Sequence, residues 1–278
     1  MLGVDLTRFS ALFPELDTER KLLTLWLDHG KANEMGTAQL DAFDGLCDAL
    51  EADDAVMCLC TTSRRLSAKG RPIFIAGANV TERAGWDDDR VRAHVSRQRG
   101  LMRRIRQLPL FHIVVPTGVT LGWGTEYVLT GDYAIATSAA SFALPETGLG
   151  IIPGARGTAE LADLVGTAQA MRLGCTGESI DASQACRIGL VQEVVPTMDD
   201  AIARVAVLAE LVRRRSPTAV AAFKRATLEA RGQPEGRRLE LESAAYERTV
   251  EVGDAAVGRA NFATIVAGQT PSWGARRS

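Results

Sequence analysis

The sequence is poor in the residues from which metal and redox sites are built. Its 278 residues include only three histidines and five cysteines, and no two cysteines form a CxxC pair. Because a structural zinc site takes four such ligands at short spacings, we expect no metal site. The odd number of cysteines is typical of reduced, buried thiols in a cytoplasmic protein rather than of a disulfide framework.

Long apolar runs and an excess of one charge are also missing. No run approaches the ~20 residues of a membrane-spanning helix, and the N-terminal MLGVDLTRFS lacks the pattern of a secretory signal. The 32 basic and 34 acidic residues give a net charge of -2, which provides no general attraction to nucleic acid or anionic membranes. We therefore expect a cytoplasmic protein without nucleic-acid or membrane partners, in which local charges or backbone donors hold any anionic ligand.

The first 200 residues alternate strand-like and helix-like segments. Residues 21–28 (KLLTLWLD) alternate apolar and polar side chains as a half-buried strand does, and residues 37–52 carry apolar side chains at helical spacing. Further short strands are predicted at 55–61, 72–75, 111–116, 134–137 and 141–143, and helices at 88–108 and 125–130. This alternation predicts an α/β architecture, and 46% apolar content is enough for a large core.

The last part of the chain changes character. Helices are predicted at residues 201–215, 217–231, 235–252 and 254–267, and residues 269–278 are predicted to be loose. Because about 80 residues of splayed helices make a poor independent core, we expect this region to pack on the body or on a neighbouring subunit. The chain is thus divided into a core of residues 1–200 and a helical region of residues 201–278.

Two motifs could place backbone N–H groups beside a ligand. Residues 73–80 (IFIAGANV) end a buried strand in small side chains, which let a ligand approach the backbone; a tight turn would explain them equally well. Residues 118–127 (GVTLGWGTEY) form a glycine-rich turn that opens a helix and carries Glu126. The N–H groups of that helix terminus could bind an oxyanion, or Glu126 could simply favour the helix dipole. Neither nucleotide-binding glycine pattern is present.

A second acid follows the next strand. Glu146 lies between Pro145 and a glycine-rich loop, and the proline could fix the backbone that aims the carboxylate. An exposed loop acid is the alternative. Taken together, two carboxylates and two donor corners are the groups needed to move protons and stabilise an oxyanion at a carbon acid. Two such acids in a desolvated site would also have pKa values pushed apart.

With these motifs in this order, the sequence resembles the crotonase (enoyl-CoA hydratase/isomerase) superfamily. The resemblance runs from about residue 21 to the C-terminus and includes residues 31–35 (KANEM), 74–79 (FIAGAN), 121–126 (LGWGTE) and 145–154. It implies a spiral of ββα turns followed by a helical trimerisation region, assembled as a homotrimer or a dimer of trimers. It also implies an acyl-CoA thioester substrate, with no separate cofactor because coenzyme A is part of the substrate.

The resemblance implies a role for particular residues. The oxyanion hole would use the N–H groups of Ala76 and Trp123, and the catalytic carboxylates would be Glu126 and Glu146. Lys224 would meet the phosphates of the ligand, unless it is an ordinary solvated lysine. The coenzyme A segment would comprise Lys31, Ala32, Ala76, Gly77, Ala78, Asn79 and Val80.

Four features depart from the family pattern. Trp123 stands where a glycine is usual, which would strain the backbone if its φ were positive and would reshape the acyl pocket. Asn79 replaces an aspartate, which is a mild change. Arg156 replaces a glycine and could pair with Glu146, bind an acidic acyl tail or face water. The basic loop at residues 63–70 (SRRLSAKG) is longer than expected and could reach the phosphates of coenzyme A.

The leading hypothesis is an enoyl-CoA hydratase in which both glutamates hold one water molecule and Glu146 supplies the proton to Cα. The alternatives are a specialised crotonase (an isomerase, dehydratase, decarboxylase or hydrolase of an unusual acyl-CoA) and a non-catalytic acyl-CoA binder whose pocket Trp123 blocks.

Overall fold

The structure is a computed structural model that describes residues 5–277. Its strands are β1 (Pro14–Asp17), β2 (Leu22–Leu27), β3 (Cys58–Ser63), β4 (Ile73–Ile75), β5 (Phe111–Val114), β6 (Val119–Leu121), β7 (Tyr133–Thr137), β8 (Ser141–Ala143), β9 (Ile180–Asp181) and β10 (Glu193–Val195). Its helices are α1 (Thr37–Ala52), α2 (Asp88–Gln107), α3 (Trp123–Val128), α4 (Gly157–Val165), α5 (Thr167–Thr176), α6 (Ala182–Arg187), α7 (Met198–Arg213), α8 (Pro217–Ala230), α9 (Glu235–Glu251), α10 (Asp254–Ala260) and α11 (Phe262–Val266). Short 3₁₀ segments cover Leu6–Leu12, Thr81–Arg83 and Pro145–Leu149.

The strands form two sheets whose members alternate along the chain. The larger sheet has the order β1-β2-β3-β5-β7-β10, and the smaller has the order β4-β6-β8-β9. Only the pairings of β1 with β2 and of β8 with β9 are antiparallel. The chain therefore winds between the sheets as an α/β spiral, as the sequence predicts.

The smaller sheet decides where the sequence motifs meet. β4, β6 and β8 run parallel, so their carboxyl ends lie at one edge. Residues 76–78 follow β4, Gly122 and Trp123 follow β6, and Pro145 and Glu146 follow β8. Because ligands of α/β proteins bind at the carboxyl ends of parallel strands, this edge is the natural position of a site.

The core explains why these segments fold as they do. In α1, Leu40, Phe43, Leu46, Cys47 and Leu50 are buried at the spacing of one helix face. α3 is only six residues long, and all six are buried. Short apolar segments of this kind are stabilised by packing rather than by helix propensity, so α3 is held in place by the core around it.

The C-terminal helices divide into two groups. α7 buries Ala201, Val205 and Ala209 against the larger sheet, so the predicted boundary at residue 200 falls inside a helix that packs on the body. α9 has no buried residue. The oligomerisation role of residues 201–278 stays a prediction. Among residues 5–277, no helix has the length and apolarity to cross a membrane.

The prediction that residues 269–278 are loose is wrong for most of this segment. The guanidinium of Arg276 donates hydrogen bonds to the carbonyls of Leu50, Val56 and Pro109, and the Trp273 indole N–H donates to Arg214 O at 2.9 Å. The tail is thereby tied to the end of α1 and to the loop before β5, since an arginine supplies five donors for carbonyls that helices and strands leave free.

Candidate active site

The shared edge of β4, β6 and β8 opens into a cavity of about 810 Å³. Its walls include Ala76, Gly77, Ala78, Gly122 and Trp123, together with both predicted acids, Glu126 and Glu146. Val80, Leu149, Ile151 and Ile152 also line it and are exposed, which gives the mouth an apolar surface. The structure therefore brings the three motifs of the sequence into one site.

Glu126 is buried and fixed by the backbone. It lies on α3, is 3% exposed, and its Oε1 accepts hydrogen bonds from Ala155 N at 2.8 Å and Gly157 N at 2.7 Å. Burial raises the pKa of Glu126 to about 7, and the charge of Glu146 adds to the increase while the two N–H groups oppose it. This carboxyl group can therefore exchange a proton near neutral pH.

Glu146 is held by the turn that follows β8. Pro145 is the first residue of a 3₁₀ turn and Glu146 is the second, so the proline helps to fix the backbone of the acid. The side chain is 9% exposed, and Oε2 has no hydrogen-bond partner among the described residues. Burial raises the pKa of Glu146 as well. A buried carboxyl oxygen without a partner is costly, so it is available for a water molecule or a substrate.

Gly122 makes room for this acid. Its φ is +50°, and a Cβ built on it would lie 2.7 Å from Glu146 Oε1. Any other residue would therefore be strained and would displace the carboxylate. Trp123, by contrast, is not among the non-glycine residues with positive φ, so the backbone strain considered for it is absent.

The backbone donors differ in one position from those predicted. Ala76 N donates to Ala32 O at 3.1 Å, so this N–H is already engaged and the prediction of Ala76 as oxyanion donor is not supported. Ala78 forms a parallel bridge with Met35, in which Met35 N donates to Gly77 O and Asn79 N donates to Met35 O. This pairing turns the Ala78 N–H away from Met35, and it makes no backbone hydrogen bond within the described part of the chain.

Trp123 supplies the second donor. It is the first residue of α3, and the N–H groups of a first helical turn have no partner within the helix. Its indole is 2% exposed and packs against the ring of Tyr127 at a centroid distance of 5.3 Å. The indole thus forms part of the wall of an open cavity. The donor pair that the geometry offers is Ala78 and Trp123.

The predicted coenzyme A segments lie next to each other. The buried side chain of Asn33 donates to Ser63 Oγ at 2.8 Å and Phe74 O at 2.9 Å, which ties the loop containing Lys31 and Ala32 to β4. Lys31 is exposed. Asn79 does not face a ligand with its side-chain oxygen, which accepts from the hydroxyl of Thr81 at 2.6 Å. The basic loop at residues 63–70 contacts the loop that contains Lys31.

One contact shows where that loop lies. Arg65 Nε donates to Lys31 O at 3.3 Å, and Arg65 pairs with Asp28 at 3.2 Å. Residues 28–36 and the basic loop at residues 63–70 are therefore neighbours, and Glu34 of the first segment lines the cavity. That these segments flank an anionic ligand stays a prediction.

The structure excludes the roles predicted for Lys224 and one of the three considered for Arg156. Lys224 is 9% exposed and its Nζ lies 2.7 Å from Asp132 and 2.9 Å from Leu110 O. It is neither a solvated lysine nor part of the cavity wall described above. Arg156 lines the cavity with φ at +88°, but its guanidinium pairs with Glu160 rather than with Glu146.

Several residues of the site were not predicted. Ala155 and Gly157 hold Glu126 through backbone N–H groups, and a Cβ on Gly157 would lie 2.8 Å from Glu126 Oε1. Arg83 and Gln98 also line the cavity. In the sequence, only the glycine after Arg156 indicates that Ala155 and Gly157 could hold an acid. Nothing in the sequence pattern distinguishes Arg83 or Gln98 from other polar residues nearby.

Comparison with known proteins identifies the family. The sequence model of the enoyl-CoA hydratase/isomerase family matches residues 66–269. The chain is 32% identical over 253 residues to the putative enoyl-CoA hydratase/isomerase YngF of Bacillus subtilis, covering 91% of this chain and 95% of that protein. It is 32% identical to a crotonyl-CoA hydratase of Syntrophomonas wolfei, covering 83% and 87% respectively.

A solved structure agrees with this assignment. The crystal structure of an enoyl-CoA hydratase from Bacillus anthracis superposes with a TM-score of 0.84 at 31% identity, covering 94% of this chain and 98% of the other. The protein therefore belongs to the enoyl-CoA hydratase/isomerase family and has the crotonase fold.

Proposed function

We propose that the protein is an enoyl-CoA hydratase, which adds water across the 2,3 double bond of a 2-enoyl-CoA thioester. One observation carries the proposal: two buried carboxyl groups, Glu126 and Glu146, line the same cavity as the free N–H groups of Ala78 and Trp123. The names of the relatives, which include a crotonyl-CoA hydratase, support the substrate class.

The thioester oxygen is proposed to lie between the two backbone donors. As the water oxygen bonds to Cβ, electron density moves onto this oxygen, and preorganised N–H groups stabilise the resulting enolate. Removal of one such donor costs about 2.7–4 kcal/mol of transition-state stabilisation in the oxyanion hole of a serine protease. The dipole at the start of α3 has the right sign to add to this effect, although the helix is short.

The two acids are proposed to move the protons. One carboxylate accepts a proton from the attacking water, and the other, protonated, donates a proton to Cα, so that the elements of water are added overall. The raised pKa values of both acids favour a pair that holds about one proton near neutral pH. Following the family resemblance, Glu146 is assigned as the donor to Cα and Glu126 as the partner that orients the water.

The experiment is to incubate the protein with crotonyl-CoA and with longer and branched 2-enoyl-CoA thioesters and to follow loss of the conjugated chromophore. The expected product is the 3-hydroxyacyl-CoA, identified by mass spectrometry. Absence of turnover on every 2-enoyl-CoA, with the thioesters still bound, would leave the protein as an acyl-CoA binder and refute the proposal.

The assembly is proposed to be a homotrimer or a dimer of trimers. α9 has no buried residue in the isolated chain, and Phe223, Tyr246, Phe262 and Val266 are each more than half exposed. Apolar side chains at this exposure are typical of surfaces that associate. Light scattering of the purified protein tests this, and a monomeric mass at micromolar concentration would contradict it.

A further inference from the structure

Three buried donors without acceptors lie in the wall of the catalytic cavity. Arg83 Nε, Gln98 Nε2 and Trp123 Nε1 are buried and have no hydrogen-bond partner among the described residues. All three residues line the cavity that holds Glu126 and Glu146. Because buried polar groups in native proteins are almost always paired, this group of donors indicates that the cavity is shaped for a ligand that brings acceptors.

Arg83 and Gln98 form the centre of this group. Arg83 Nη2 donates to Gln98 Oε1 at 3.4 Å, and this contact fixes the orientation of the amide, so that Gln98 Nε2 remains as the free donor. Gln98 is 3% exposed and lies on the face of α2 that is buried in the body. Arg83 ends the 3₁₀ turn that directly follows residues 76–80. The pair is therefore linked to the oxyanion corner by a few residues of chain.

Arg83 is a half-buried cation without an ion-pair partner. It makes no ion pair within 4.0 Å among residues 5–277. The nearby Glu82 accepts instead from Thr37 N and Thr37 Oγ1. Burial lowers the pKa of the Arg83 guanidinium, and the charge of Glu82 opposes this decrease only in part. The other cavity arginines differ, because Arg156 is paired with Glu160 and Arg99 is exposed to solvent.

The position of this pair separates it from the nucleotide end of the ligand. The coenzyme A moiety is large and must remain largely in solvent, where the exposed Lys31 and the neighbouring basic loop lie. Gln98 is almost fully buried, so the pair lies at the inner wall of the cavity, on the side of the acyl chain rather than of the nucleotide. A guanidinium with an adjacent amide donor matches a carboxylate, since charge-assisted hydrogen bonds to a planar oxyanion are the strongest that arginine makes.

We propose that Arg83 and Gln98 form a carboxylate-binding subsite, and that the preferred substrates are CoA monothioesters of unsaturated dicarboxylic acids. The proposal rests on the proposed function, because it assumes that the acyl chain of an enoyl-CoA lies in this cavity. It names residues that determine specificity and leaves the hydration chemistry to the two glutamates.

Binding of saturated ligands tests the subsite without requiring turnover. Calorimetry would compare succinyl-, glutaryl- and adipyl-CoA with neutral acyl-CoAs of the same shape, in which two methyl groups replace the carboxylate oxygens, and with coenzyme A itself. In the wild-type protein, at least one dicarboxylic ligand should bind about tenfold or more tightly than its neutral match. Equal affinities throughout the series would overturn the proposal.

Variants assign the preference to particular residues. Arg83→Met should abolish the preference and leave the affinity for the neutral ligands unchanged, which also shows that the variant is folded. Arg92→Met, which removes an exposed arginine of α2, the helix that carries Gln98, is the matched control and should retain the preference. Gln98→Leu, which removes one neutral donor, should reduce the preference by about fivefold. A preference that survives Arg83→Met would overturn the assignment.

Coenzyme A distinguishes the two sources of negative charge. If Arg83→Met weakens coenzyme A as much as it weakens the dicarboxylic ligands, the guanidinium serves the phosphates and the subsite proposal is wrong. Turnover gives an independent result: wild-type protein should hydrate glutaconyl-CoA with a higher kcat/KM than crotonyl-CoA. Loss of the binding preference refutes the subsite alone, whereas tight binding of every thioester without turnover refutes only the hydratase proposal.

Discussion

Substitution of Gly122 by alanine tests whether the position of Glu146 matters for the chemistry. The added Cβ would lie 2.7 Å from Glu146 Oε1, where ordinary contacts begin at 3.4 Å. The carboxylate must therefore withdraw by roughly 0.7 Å, and misplacement on this scale costs about 100-fold in rate. We expect kcat on a 2-enoyl-CoA to fall roughly 100-fold, while the affinity for coenzyme A changes little because no residue of that segment moves.

A second glycine provides the control for backbone strain. Gly166 also has a positive φ, of +79°, but its Cβ would meet nothing within 4 Å. Gly166→Ala should lose about 1–3 kcal/mol of stability from the strained conformation and keep its kcat. Steady-state kinetics and thermal unfolding of both variants separate the two effects. A folded Gly122→Ala protein with a kcat close to that of the wild type would refute the role assigned to Glu146.

Three further predictions follow from the buried charges. The pKa of Glu126 is raised from 4.5 to about 7, so between these pH values only the unfolded state releases the proton, and the free energy of unfolding falls as pH rises. Glu126→Gln keeps both backbone hydrogen bonds. In urea unfolding it should be about 3 kcal/mol more stable than the wild type above pH 7 and of similar stability below pH 4.5. The pH profile of kcat/KM should show an apparent pKa near 7 that belongs to the glutamate pair and is lost in the same variant. Lys224→Met leaves Asp132 buried without its cation and should lower the free energy of unfolding by about 3–5 kcal/mol, while the affinity of the folded protein for coenzyme A stays unchanged. Weaker coenzyme A binding at unchanged stability would instead support Lys224 as a phosphate ligand.

The sequence predicted the elements and the acids because their signals are local. The limits of α1, residues 37–52, agree with the apolar spacing at 3.6 residues per turn, and β2 and β8 lie within their predicted segments. Glu126 and Glu146 could be singled out because Glu126 follows a glycine-rich turn and Glu146 follows a proline. The strand Pro14–Asp17 was not predicted, since its pairing with β2 rather than its own pattern defines it.

The errors concern contacts between distant parts of the chain. Whether Ala76 or Ala78 offers a free N–H depends on the carbonyl of Ala32 and on the bridge to Met35, and no local pattern records this pairing. The burial of Lys224 depends on Asp132, which is 92 residues away. The lack of an anionic partner for Arg83 could be recognised only when its surroundings were in view. Such partners are selected by the fold, so only their residue types can be inferred in advance.

The central claim is that Glu126 and Glu146 act together on one water molecule. The most direct test is the kcat of the Glu126→Gln, Glu146→Gln and double variants on the same 2-enoyl-CoA. Groups that act as a unit give strongly non-additive losses, so each single variant should lose about 10²–10⁴-fold and the double variant should lose little more than the worse single one. Losses that multiply, or a single variant that keeps wild-type turnover, would contradict the account.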